Sequence, residues 1–391
     1  MLNTSLSPWP SFTQEEADAV SKVLLSNKVN YWTGTECREF EKEFAAFAGT
    51  QYAVALSNGT LALDVALKAM GIGAGDDVIV TSRTFLASAS CIVTAGANPV
   101  FADVDLNSQN ISAETIKAVL TPNTKAIIVV HLAGMPAEMD GIMDLAKEHD
   151  LWVIEDCAQA HGAKYKGKSV GSIGHVGAWS FCQDKIMTTG GEGGMVTTND
   201  KELWSKMWSY KDHGKSYDAV YNREHAPGFR WLHESFGTNW RMMEMQAVIG
   251  RIQLKRMPEW TARRQAHAAK LAESLGKFAS IRLIEVADYI EHAQYKFYAF
   301  VKPEHLKDGW TRDRIVSELN ARKVPCYQGS CSEVYLEKAF DNTPWRPKER
   351  LKNAVELGDT SLMFLVHPTL TDDEIAFCKE HIEAVLAEAT A

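Results

Sequence analysis

Three short stretches of this chain carry residue types that could do chemistry together. The first is Ser57-Asn58-Gly59-Thr60, between a β-rich run and a helical pattern. A helix start offers free N–H groups and the positive end of a dipole, so it suits phosphate. Gly59 allows close backbone approach, and the Thr60 hydroxyl can cap the helix or bond a phosphate oxygen. The stretch is no P-loop, because GK[ST] does not follow, and no dinucleotide fingerprint, because GxGxxG is missing. The second is Glu155-Asp156-Cys157-Ala158-Gln159, after the apolar run 151–154. Ligands in open α/β sheets bind beyond the carboxyl ends of strands. An acid there can hold a cationic ring nitrogen. The third is Ser180 to Lys185, followed by Gly190-Gly191-Glu192-Gly193-Gly194. A lysine held partly out of water on such a turn is a good amine nucleophile toward aldehydes. Each stretch has an ordinary reading too: a helix cap, a surface acid, a solvated loop lysine. In this order they supply what pyridoxal phosphate needs. One anchors the phosphate, one keeps the pyridine nitrogen protonated so the ring can draw electrons, and one holds the aldehyde and shuttles a proton.

The elements that must position these residues are legible as alternating patterns. Strands are expected at 52–56, 77–81, 99–102, 125–131 and 151–154. Helices are expected at 60–70, 86–95, 113–120 and 137–149. Strands made of continuous Val/Ile runs are buried on both faces, as in a parallel sheet covered by helices. The alternation implies a layered α/β domain. Two further strands, 177–182 and 194–198, flank the Gly-rich turn. A helix at 201–211 precedes an aromatic-rich loop at 212–237. Residues 241–275 read as one long helical stretch, broken or kinked at Pro258 and stopped by Gly276. Beyond it lie a strand at 295–301 and helices at 311–321 and 372–387. The chain therefore divides into an N-terminal segment with a large α/β domain, 1–260, and a smaller C-terminal α+β domain, 261–391, with the boundary near 255–275.

Composition narrows the function class. The 391 residues are 46% apolar and 23% charged, ordinary values for a globular enzyme with a substantial core. Forty-one basic against fifty acidic residues give a net charge of −9, which argues against nucleic acid as a partner. Seven scattered cysteines without a CxxC pair argue against a disulfide framework or a zinc ribbon, and no metal is expected. Without a basic-then-apolar N-terminus or a long apolar run, the reading is a cytoplasmic protein off the membrane.

With these motifs in view, the sequence resembles the DegT/DnrJ/EryC1/StrS sugar aminotransferases, within fold-type I of the pyridoxal-phosphate enzymes. The likeness runs over nearly the whole chain. It is strongest in Ser57 to Leu63, Glu155 to Gly162, Ser180 to Gly194, and Gly237-Thr238-Asn239-Trp240-Arg241-Met242 with Gln246-Ala247. The resemblance implies roles. Lys185 carries the cofactor as a Schiff base, Asp156 pairs with the pyridine N–H, and Gln159 lies against the ring near its phenolic oxygen. Gly59, Thr60 and Ser180 bind the phosphate, and Phe85 stacks on the ring. Asn239 reaches the phosphate of the neighbouring subunit, which makes a homodimer with a composite site. The implied reaction moves the amine of L-glutamate to a nucleotide-linked keto sugar, with C4 of a UDP-4-keto-6-deoxy-HexNAc as the leading acceptor. A dTDP- or GDP-4-keto-6-deoxyhexose, or a 3-keto sugar, is the alternative. Some members replace the lysine by histidine and become dehydratases; here the residue is Lys185. A non-catalytic protein that merely keeps the cofactor site is the rival of another class. For the nucleotide sugar, the Tyr31-Trp32-Thr33-Gly34 segment, the 212–236 loop and the Tyr327 region are candidate contacts. Trp231 reads rather as a core or interface anchor.

Overall fold

The computed structural model describes residues 6–391. Nine strands belong to the first two hundred residues. They are β1 (Tyr52–Leu56), β2 (Asp77–Thr81), β3 (Asn98–Ala102), β4 (Thr124–Val130), β5 (Trp152–Asp156), β6 (Lys164–Tyr165), β7 (Lys168–Ser169), β8 (Val176–Ser180) and β9 (Gly194–Thr198). Seven of them form the central sheet in the order β1-β9-β8-β5-β4-β2-β3. β9 runs antiparallel to both its neighbours; the other pairings are parallel. The Val/Ile strands β4 and β5 are buried on both faces, as their composition requires.

Helices cover the sheet and connect its strands: α1 (Gln14–Leu25), α2 (Glu36–Ala48), α3 (Gly59–Ala69), α4 (Ala87–Thr94), α5 (Ala113–Lys117), α6 (Met139–Glu148), α7 (Lys201–Lys211) and α8 (Tyr217–Tyr221). One apolar cluster holds Val54, Val80, Ile128 and Ile154 against Leu63, Leu67 and Ile92. On the other face Ile79, Ile127 and Val153 meet Met139, Ile142 and Leu145. Side chains alternate across the strands, so each strand feeds both layers.

α9 (Glu244–Leu275) then runs for 32 residues without a break, through Pro258. The expected break does not occur. Proline removes one N–H bond, and the buried row Met257, Trp260, Arg264 and Leu271 holds the helix on both sides of that gap. β10 (Ile281–Leu283), β11 (Ile290–Glu291), β12 (Phe297–Val301), β13 (Cys326–Tyr327) and β14 (Ser361–Phe364) follow, with α10 (Arg312–Ala321), α11 (Lys352–Thr360) and α12 (Asp372–Ala389). A four-stranded antiparallel sheet, β10-β12-β14-β13, packs with α9, α10 and α12 around a separate core of Leu271, Ile315, Leu319, Leu362 and Ile382. Residues 334–340 return to the first layer, where Val334, Tyr335 and Phe340 join its core.

Three other readings change. α1 and α2 precede the first strand, where no elements were expected. The 212–237 loop contains α8 and a bridge between Lys215 and His233. Trp231 is 79% exposed, so it is no core residue.

Candidate active site

β1, β2, β4, β5 and β8 end on the same edge of the central sheet, and the residues singled out by chemistry sit there. Asn58 caps α3, its side chain accepting from the Leu61 N–H at 3.0 Å. The N–H groups of Gly59 and Thr60 precede the first intrahelical bond and point out of the helix. Gly59 is fixed by space: a Cβ there would lie 2.5 Å from Ser180 Cβ. A Cβ on Gly194 would lie 2.2 Å from the Asn58 carbonyl oxygen. Ser180 ends β8, and its Oγ accepts the Cys182 N–H at 3.3 Å, which leaves the hydroxyl proton to spare. The free N–H groups at the start of α3 and the Ser180 hydroxyl give this edge a donor character that suits an anion.

Asp156 ends β5 and is buried. Its Oδ2 accepts from Ser88 Oγ at 2.7 Å, and its Oδ1 from the Ala158 N–H at 3.1 Å. Ser88 in turn meets Thr84 Oγ1 at 2.8 Å. α4 thus orients the carboxylate, and sequence reasoning missed this pair; a serine in the first turn of a buried helix was the available signal. The carboxylate keeps lone pairs for a cationic donor. Gln159 follows on the loop, half-buried, with Oε1 accepting the Ala133 N–H at 2.7 Å. Ala133 itself takes a left-handed φ of 57°.

The preceding acid has a different fate. Glu155 and His131 are fully buried, with Nε2 and Oε2 2.9 Å apart. His131 Nδ1 accepts the Ala137 N–H at 3.1 Å, so Nε2 carries the proton. Glu155 also accepts from the N–H groups of Gly171, Ile173 and Gly174 at 2.8, 2.8 and 2.6 Å. Burial alone would raise its pKa; His131 and these backbone donors outweigh it and hold the carboxyl below its usual value. His131, Glu155 and Cys157 lie close enough to suggest a metal site. Their nitrogen and oxygen atoms are committed to these bonds.

Lys185 lies on the turn between β8 and β9, half-buried, with no ion pair among the described residues. Its carbonyl accepts from Trp9 Nε1 at 2.9 Å. Its Nζ stands 5.4 Å from the centroid of Tyr295. The Tyr295 hydroxyl donates to Asp184 Oδ2 at 2.5 Å. Behind the turn, His161 is enclosed by Phe44, edge-on, and by Trp179 and Phe181, both tilted against it. Burial, then Lys185 and Arg264, push it down to about 3, so it is neutral. Sequence reasoning singled out neither Tyr295 nor Asp184.

Phe85 stands between β2 and α4, 71% exposed, with its ring free to cover a flat ligand. Asn239 is exposed, and its backbone bridges Asp212. Two residues on, Arg241 bridges Leu56 and its carbonyl accepts from Ser57 Oγ, so Asn239 rides on the rim of the same edge. Tyr31 departs from expectation: it is buried, its hydroxyl accepting from Trp208 Nε1 at 3.1 Å and its ring under Lys211, and it offers nothing to a sugar.

Helix-start donors, a buried acid with spare lone pairs and a lysine without an ion pair among the described residues gather at one sheet edge, the groups a pyridoxal-phosphate site calls for. Residues 10–383 match the DegT/DnrJ/EryC1/StrS aminotransferase family, and the chain belongs to it. It is 42% identical over 377 residues to GDP-perosamine synthase of Escherichia coli O157:H7, covering 95% of this chain and 96% of that one. It is 41% identical over 363 residues to UDP-N-acetyl-3-dehydro-alpha-D-glucosamine 3-aminotransferase of Acidithiobacillus ferrooxidans, covering 91% and 90%. Its fold superposes on the crystal structure of the aminotransferase from Psychrobacter cryohalolentis with a TM-score of 0.96, at 66% identity and over 98% and 99% of the two chains. The protein is a pyridoxal-phosphate-dependent sugar aminotransferase of nucleotide-sugar and polysaccharide biosynthesis. Among the described residues no helix is long and apolar enough to cross a membrane.

Proposed function

We propose that this enzyme moves the amino group of L-glutamate to C4 of a UDP-linked 4-keto-6-deoxy-HexNAc, as a cytoplasmic homodimer. The observation that supports the amine-transfer part is that Gly59 packs on Ser180 at the sheet edge where β5 ends in Asp156, with Lys185 on the turn that follows β8. Bound there, the cofactor supplies an aldehyde to take the amine and a ring to draw off electrons. The chain's own residues do the rest. Gly59, Thr60 and Ser180 would hold the phosphate. Asp156, steadied by Ser88, would keep a proton on the pyridine nitrogen. Gln159 would lie against the ring edge, with Phe85 across its face. Lys185 Nζ would hold the cofactor, then take the donor's α-proton as base and return it as acid. Asn239 of one protomer would reach the phosphate site of its partner.

The acceptor rests on the family's substrate class. The relatives include enzymes named for GDP- and UDP-linked sugars. A GDP- or dTDP-4-keto-6-deoxyhexose, or a 3-keto sugar, is therefore the alternative acceptor. A panel of UDP-, dTDP- and GDP-linked 3- and 4-keto sugars, incubated with L-glutamate and read by mass spectrometry and NMR, tests the reading. Amination at C4 of the UDP-linked sugar is expected. Amination of another sugar alone overturns the acceptor, and no amine on any sugar overturns the function.

A further inference from the structure

Beside Lys185 lies a second lysine that the chemistry above does not use. Lys296 precedes β12 and is only 9% exposed, yet its ammonium has neither an ion pair nor a hydrogen bond among the described residues. Its ammonium therefore sits at the end of a nearly buried side chain with no partner to offset the desolvation. Lys296 Nζ stands 4.7 Å from the centroid of Tyr295, the ring that Lys185 Nζ approaches at 5.4 Å. The Tyr295 backbone is tied down by its N–H to Ala133 O at 2.9 Å, next to the N–H that holds Gln159. Lys296 thus stands beside the same anchored ring that Lys185 approaches.

The charges around it do not balance. Lys185, Lys296 and Arg264 face one carboxylate, Asp184, which already accepts the Tyr295 hydroxyl. Arg264 is buried behind Tyr295, bonded to its carbonyl at 3.3 Å, with Nε and Nη2 unpartnered. Burial, countered in part by Asp184 and reinforced by Arg264 and Lys185, brings Lys296 down to about 8. This cluster is short of negative charge.

We infer that Lys296 is a specificity-determining residue that binds the α-carboxylate of the amino donor. In an α-amino acid the carboxylate sits one carbon from the amine, so an anion partner on the same ring as Lys185 falls where that group arrives. The diphosphate of a nucleotide sugar is separated from the reacting carbonyl by the sugar ring, and it reaches the site from farther out. The inference rests on the amino-acid-donor part of the reading above.

The test titrates the holoenzyme with α-methyl-L-glutamate, which has no α-proton to lose, and follows the cofactor spectrum to obtain Kd. 4-Aminobutyrate, which lacks the α-carboxylate, is the control. Lys296→Met is expected to weaken α-methyl-L-glutamate at least about tenfold and to leave 4-aminobutyrate within about twofold, while Lys296→Arg recovers most of the loss. Lys296→Gln serves in place of Lys296→Met if that variant fails to fold, as judged by its melting temperature. Equal affinity for α-methyl-L-glutamate in wild type and variant overturns the subsite. So does an equal loss of both ligands. A wild-type protein that takes up neither analogue contradicts the donor reading itself, whatever Lys296 does.

Discussion

Glu155 and Asp156 are consecutive carboxylates at the end of β5, and a strand turns successive side chains to opposite faces. Glu155 points into the layer that holds His131 and the 171–174 loop, where four donors saturate it. Asp156 points toward α4; Ser88 on that helix and the Ala158 N–H on the loop after β5 hold it and leave acceptor capacity. Both are buried acids on one strand. The difference lies in what is left over. A fully spent carboxylate builds the loop beside the site; a partly spent one at the strand end is free to meet a ligand.

Substitution should separate the two acids cleanly. Glu155→Ala removes the acceptor for His131 and three backbone N–H groups at once. The expected loss is about 3–5 kcal/mol, read as a lower denaturant midpoint. Asp156→Asn is expected to change stability by less than about 1 kcal/mol while cutting kcat/KM about 100-fold or more. Equal losses of stability in the two variants would erase the contrast.

The pH dependence sharpens it. The folded-state pKa of Glu155 lies below its ordinary value of 4.5. A depressed carboxyl contributes stability that is complete above the unfolded value and is lost as pH falls through the folded one. Wild-type stability should therefore fall below about pH 4.5 more steeply than that of Glu155→Gln, measured by denaturant melts across that range. Ser88→Ala, which removes one donor to Asp156, should lower kcat/KM about tenfold, the worth of one hydrogen bond to a charged group. Asn58→Ala, on the phosphate side, should cost about 1 kcal/mol of stability through the lost helix cap.

Much of this was legible in the sequence, for physical reasons. Continuous Val/Ile runs announce buried parallel strands, and residue order placed Gly59, Asp156 and Lys185 at the ends or turns of such strands. The residues that support them were not legible. Ser88, Tyr295 and Asp184 act through contacts 68 to 111 positions apart in the chain, and no local period reports such pairs. Pro258 misled because propensity weighs one lost hydrogen bond and not the buried row of side chains that spans it. Tyr31 misled because an aromatic near a Gly turn looks the same in sequence whether it faces a ligand or a core.

The central claim is that Lys185 carries the cofactor. Borohydride reduction of the holoenzyme, followed by peptide mass spectrometry, tests it directly. The pyridoxyl label is predicted on Lys185 and is predicted to be absent from Lys185→Ala. A label on Lys296 or any other lysine of the wild-type protein, or none at all, would contradict the account.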